Sequence, residues 1–191
     1  MEPTTLTRSP NQETRRREIV AAAADLVASE GFGACTVRRI ADATPLTKST
    51  VHYYFDDANE LTDLVVVEVV DRFADACRKA VVDADRAGAV AIFTRIFLGR
   101  EPSAAIGASL LWHEYGIHSL NQGSRIGLAR TYELVSTVFA EAIGSDAQGA
   151  ALHLYLLGLN FRNRVAPIPD LEIAEAVSAL TSTDVQAANL T

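Results

Sequence analysis

The chain has 191 residues, 49% of them apolar and 21% charged, and a net charge of −7. This is length and apolar content enough for a real core, and no apolar run approaches the roughly 18 to 20 residues that a bilayer span requires. Two cysteines, Cys35 and Cys77, are too few for a disulfide framework, and neither stands in a CxxC or Cys/His cluster of metal-ligand spacing.

Residues 1–12, MEPTTLTRSPNQ, lack the apolar core of a secretory signal and read as a disordered arm, which makes the cytoplasm the expected location. From Glu13 to Glu30 the periodicity predicts a helix. Ile19, Ala22, Ala23, Leu26 and Val27 form its apolar stripe, Arg15 to Arg17 lie outside the stripe as a basic start able to touch phosphate, and Gly31 stops it. The stretch CTVRRIADATPLTKSTVHYYF, Cys35 to Phe55, then reads as two short helices joined by a tight turn. Thr36 can cap the first, whose Val37, Ile40 and Ala41 share one face, with Arg38, Arg39 and Asp42 on the other. Pro45 pushes Thr44 out of the helical region, and Leu46 can turn inward. Thr47 can cap the second helix, on which Val51, Tyr54 and Phe55 pack inward while Lys48, Ser49, Thr50, His52 and Tyr53 face out. A helix entering the major groove offers its N-terminal residues to base edges and its hydroxyls, lysines and backbone N–H groups to phosphates. Thr36, Arg38, Thr47, Lys48, Ser49, Thr50, His52 and Tyr53 are therefore the candidate DNA contacts of a helix-turn-helix.

The overall acidity has to be read by position. Over residues 1–55 seven basic and six acidic side chains leave +1, so the remainder carries −8 and the acidic excess lies outside the candidate DNA head. So weakly basic a head implies modest non-specific affinity and a need for two heads.

The segment from about Thr14 to about Val70 resembles the DNA-binding region of TetR-family transcriptional regulators. Gly31-Phe32 ahead of Thr36, then Ile40-Ala41, Lys48, Thr50, Tyr54-Phe55 and Glu60-Leu61 carry the likeness. The chain departs from the family at Thr44-Pro45-Leu46-Thr47 in the turn, at His52, where Tyr is usual, and at Ala58, where a phosphate-contacting Lys is frequent. The resemblance implies a ligand-responsive regulator, most often a repressor, that binds small molecules among its middle helices.

Asp57 and Glu60 form a capping pattern ahead of a long helix, Leu61 through Val81 to about Asp85, that would span roughly 40 Å and serve as a lever. After Gly88 a helix is expected over about Ala89 to Leu98, and another from Pro102 to Ser119. His113 and His118 of the second are five apart, not the four that a zinc site on one helical face needs, and no metal or other cofactor is implied. Phe93, Phe97, Trp112, His113 and Tyr115 are the candidate ligand-binding residues, an apolar set with polar handles. Two further helices, about Ser124 to Ile143 and Asp146 to Val165, are separated by Gly144. Leu128, Tyr132, Val135 and Phe139 repeat on the first, and Ala151, Leu154, Gly158, Phe161 and Val165 on the second. Leu152, Tyr155, Leu156 and Leu159 cover another side of that second helix, and a helix apolar on two sides must be covered twice, most simply by a second subunit. A short helix, Leu171 to Leu180, precedes a loose tail.

The expected fold is all-α. A loose arm (1–12) precedes a three-helix DNA-binding head (13–56), joined by a long helix to a helical ligand-binding and dimerisation domain (57–181), with a loose tail (182–191). The expected function is a homodimeric regulator of palindromic double-stranded operator DNA that answers a small-molecule effector and has no membrane partner. The alternative is an all-α carrier or enzyme using His113, Glu114 or His153.

Overall fold

The side chains of Thr36, Thr47, Asp85 and Ser145 cap the starts of four helices. In a computed structural model of the chain, which describes residues 10–55, 58–101, 114–117 and 126–191, every regular element among those residues is helical. They are α1 (Pro10–Glu30), α2 (Val37–Ala43), α3 (Lys48–Tyr54), α4 (Ala58–Ala80), α5 (Arg86–Leu98), α6 (Ile126–Ile143), α7 (Asp146–Val165) and α8 (Asp170–Thr181), with short 3-10 turns at Phe32–Ala34 and Ala187–Leu190. The chain divides into two compact units, residues 1–68 and 69–191.

In the first unit α1 starts at Pro10, three residues ahead of the sequence expectation, because proline's fixed φ suits a first helical turn. It ends at Gly31, whose φ of +88° would strain any other residue. Thr36 caps α2 by accepting from the Arg39 N–H, and Thr44, ahead of Pro45, is extended. Thr47 caps α3 by accepting from the Thr50 N–H. The core of this unit is Ile19, Ala23 and Val27 of α1, Ile40 of α2, Val51 and Phe55 from α3 and its C-cap, and Leu61 and Val65 of α4.

Three expectations about helix and chain ends need correction. The long helix stops at Ala80 rather than near Asp85, which makes its 23 residues about 34 Å long. Asp85 instead caps α5, its carboxylate accepting from the Gly88 N–H at 2.7 Å, so Gly88 lies inside a helix and breaks nothing. Asp57, the other half of the expected cap on α4, lies outside the described residues. The third correction concerns the tail. Val185 and Leu190 are buried, and Arg95 and Arg100 of the α5 end each donate at 2.6 Å to a tail carbonyl, of Asn189 and Leu190 respectively. Two apolar anchors and two charge-assisted hydrogen bonds hold residues 182–191 in place.

The second unit is built around aromatic rings. Phe93 of α5 stacks on Phe139 of α6 with centroids 4.1 Å apart, and Phe97 meets both Phe139 and Phe73 edge-on at 5.9 and 5.8 Å. α6 and α7 form a hairpin through Gly144, whose φ is +74°. Their backbones approach so closely at Gly149 that a Cβ there would stand 2.5 Å from the Ala140 nitrogen. Val135 and Phe139, expected at a subunit contact, are 1% and 0% exposed inside this unit. Heptad spacing reports that they are apolar and share a face, but that face meets α5 and α7 of the same chain.

Candidate nucleic-acid interface

The inward side of α3 carries the buried Val51 and its C-cap Phe55 where the helix packs on α1 and α2, and its outward side is polar. Lys48, Ser49 and His52 are exposed, Thr50 is half-buried, and Tyr53 is 68% exposed. That surface stays open although the ring meets Tyr54 edge-on at 5.1 Å and the hydroxyl accepts from Gln12. At the start of α3, Thr47 Oγ1 lies 2.8 Å from both Ser49 Oγ and Thr50 Oγ1, a cluster of hydroxyls beside the Lys48 ammonium. Thr36 and Arg38 of the preceding segment are exposed too. Arg38 and its neighbour Asp42 are 3.8 Å apart with side chains 78% and 64% exposed, a pair weak enough to leave the guanidinium available to another acceptor. All eight candidate DNA contacts thus have accessible surface on the helix-turn-helix.

Arg16 departs from the sequence expectation. With Arg15 and Arg17 it is expected outside the apolar stripe, yet it is 5% exposed. The signal was available, since Arg16 falls three residues before Ile19 and seven before Ala23, on the buried face. Beside it, α1 and α4 border a groove of about 660 Å³ lined by Val20, Leu64 and Val67, by Glu13, Glu60, Asp63 and Glu68, and by Arg16 and Arg17 themselves. Its four carboxylates outnumber its two guanidinium groups, so the groove is a poorer match for phosphate than the outward side of α3.

The candidate ligand residues fare differently. Trp112 and His113 lie outside the described residues. Tyr115, in a helical turn at 114–117, is 1% exposed, and Phe93 and Phe97 are enclosed in the ring cluster of the second unit. A cavity beside Phe97, Gly99, Asn160 and Arg164 measures about 210 Å³, below the roughly 300–1,000 Å³ of ordinary ligand pockets.

Of the groups considered for catalysis, Glu114 is exposed and His113 is not described. His153 is completely buried, its Nδ1 2.9 Å from Ser136 Oγ and its ring among Phe97, Tyr132 and Phe139. Burial lowers its pKa to about 4. A neutral imidazole enclosed on this scale reaches no substrate. Burial raises the pKa of the half-buried Cys35 thiol and pushes that of the buried Cys77 up to about 12, which disfavours the reactive thiolate at both. Among the described residues no cluster of His, Cys, Asp and Glu could hold a metal ion, and no helix is long and apolar enough to cross a membrane.

Residues 19–63 match the model of the bacterial regulatory proteins of the tetR family. Among solved structures, the chain is similar to the multidrug binding protein EbrR complexed with imidazole, with a TM-score of 0.64 and 22% identity over 87% of this chain and 94% of that one. It also aligns with AmtR of Mycobacterium smegmatis, with a TM-score of 0.47 and 16% identity over 99% and 94% of the two chains. No curated protein matches the sequence. The family model covers the helix-turn-helix whose capped, polar-faced α3 is described above, and the first of these structures shares the all-helical fold that carries it; the head of this chain is thus similar to the tetR family of bacterial regulatory proteins.

Proposed function

We propose that the protein is a homodimeric repressor that holds a palindromic operator in its ligand-free form and leaves it when a small, largely hydrophobic molecule binds the second unit. The observation that carries this reading is the outward face of α3, where Lys48, three neighbouring hydroxyls and an exposed Tyr53 stand together with no demand from the core. The dimer is supported by α7. Leu154, Phe161 and Val165 are 63%, 59% and 75% exposed and, with Gly158, fall at i, i+7, i+11 and i+4 on one face. An apolar stripe of this kind asks for a partner helix, and a second copy supplies one together with the second head.

The effector reading draws on the apolar character of the second unit and on the likeness to a structure described as a multidrug binding protein. α4 is the covalent continuation from head to body, and a ligand that binds the DNA-incompetent arrangement better than the competent one shifts the population by its differential affinity. Half-sites one helical turn apart, about 34–36 Å, tolerate little change in head separation. The reading of a non-enzymatic protein is supported by the enclosure of His153.

Selection of binding sites from a random DNA pool by the purified protein, repeated in the presence of a ligand library, tests the whole reading. A palindromic consensus, and at least one apolar compound that lowers its occupancy, are the expected results. Recovery of no consensus would overturn the proposal.

A further inference from the structure

Two side chains of α1, four residues apart, hydrogen-bond to α3. Gln12 Nε2 donates to Tyr53 Oη at 3.3 Å. One turn further on, Arg16 Nη1 donates to the Tyr54 carbonyl, Arg16 Nη2 meets Glu60 Oε1 at 2.5 Å, and the guanidinium lies 4.2 Å from the centroid of the Phe55 ring. These partners come from different pieces of the head. Tyr54 is the last residue of α3, Phe55 is its C-cap, and Glu60 is in the first turn of α4.

Burying a cation is costly unless it is paired and hydrogen-bonded, and here both terminal nitrogens and the face of the guanidinium have partners. Its plane lies on an aromatic ring, and its nitrogens donate to a carboxylate and to a carbonyl at the negative end of a helix. A lysine could keep the ion pair but not the fork and the stacking at once. A side chain that joins the end of α3 to α1 and to the start of α4 fixes their mutual orientation, and α3 is only seven residues long, so fixing one end fixes the helix. We propose that Arg16 is a positioning residue for operator recognition: it sets the angle at which α3 presents Lys48, Thr50 and Tyr53, with Gln12 steadying the Tyr53 ring. Being buried, Arg16 does not itself meet phosphate. Through Glu60 it also passes any rotation of the first turn of α4 to α3.

This inference rests on the operator-binding reading above, and the test separates the two. The full-length protein is first used to select an operator; a wild type with no sequence preference overturns the regulator reading, and with it any role for Arg16 in recognition. Arg16→Lys is then compared with wild type for urea stability, affinity for non-operator DNA, affinity for the operator and the salt dependence of each. The expected result is a folded variant whose non-operator affinity and salt slope are unchanged, because the phosphate contacts are the same, and whose operator affinity falls about tenfold or more. Glu60→Gln keeps the contacts to Tyr54 and Phe55 and should show a smaller loss of the same kind. An Arg16→Lys protein that melts earlier but binds operator as tightly as wild type overturns the proposal, as does a salt slope lower by about one unit, which would make Arg16 a phosphate contact. If Arg16→Lys fails to fold, Glu60→Gln decides: unchanged operator affinity overturns the proposal.

Discussion

Lys48 opens α3 with its side chain exposed and the Thr47 hydroxyl cluster beside it. In the proposed operator complex an ammonium so placed would displace a counterion from phosphate, which predicts a particular signature for Lys48→Ala. Binding to operator and to unrelated DNA should weaken alike, and the slope of log affinity against log salt should fall by about one unit. Affinity equal to wild type at every salt concentration would remove Lys48 from the interface. His153 makes a prediction of a different kind, because its imidazole is buried with its pKa lowered from 6.5 to about 4. Between those values the unfolded chain takes up a proton at this position and the folded chain does not. Its contribution is therefore fully present above about pH 6.5 and lost as pH falls toward 4, by something on the order of 3 kcal/mol. His153→Asn can keep a hydrogen bond to Ser136 while removing the titration, so urea midpoints at pH 7.5 and 4.5 should differ less than in wild type. An equal drop in both proteins would place the acid sensitivity elsewhere. Sequence was a good guide to Lys48, whose outward position follows from the spacing of Val51 and Phe55, and a poor one to Arg16. A residue-type rule sends arginine to the surface, while Ile19 and Ala23 place position 16 on the inner face.

Caps and breakers made most of the helix boundaries legible. Thr36, Thr47, Gly31 and the Thr44-Pro45 step act through neighbours a few residues away, and each does in the structure what its local chemistry requires. What the sequence misassigned depended on distant partners. Residues 182–191 look like a polar tail until Arg95 and Arg100 are seen donating to its carbonyls with Leu190 buried beneath. The α6–α7 hairpin holds a similar long-range constraint at Gly149, the place where two backbones meet. A Cβ at that position would stand 2.5 and 2.7 Å from the Ala140 nitrogen and Cα, and a neighbouring backbone yields far less readily than a side-chain end. Gly149→Ala should therefore lower stability by roughly 1–3 kcal/mol despite alanine's better helix propensity. Chemical denaturation is a sufficient check, and a variant more stable than wild type would mean that the two helices can separate without penalty.

Assembly is where the periodic pattern of the sequence was least able to choose. It offered apolar faces on both α6 and α7 as subunit contacts. The interior takes Val135 and Phe139 from the first, Leu128, Tyr132 and Ala151 are half-buried, and Leu154, Phe161 and Val165 of α7 remain outside. A second subunit is proposed to cover that remaining stripe. Gly158 sits within it, exposed, and a Cβ built there has nothing within 4 Å. Gly158→Arg is thus expected to leave the protomer's own packing intact, apart from removing a helical glycine, while placing a charged side chain in the proposed contact. Sedimentation should show the variant as a monomer at concentrations where wild type is a dimer, and its circular dichroism should be that of the folded chain. Operator affinity should then fall sharply while non-operator binding per head persists, because a head with a local balance of only +1 gains its specificity from two half-sites held in one rigid spacing. A wild type that sediments as a monomer at micromolar concentration would dispose of the dimer, and a variant that stays dimeric would move the interface off this face of α7.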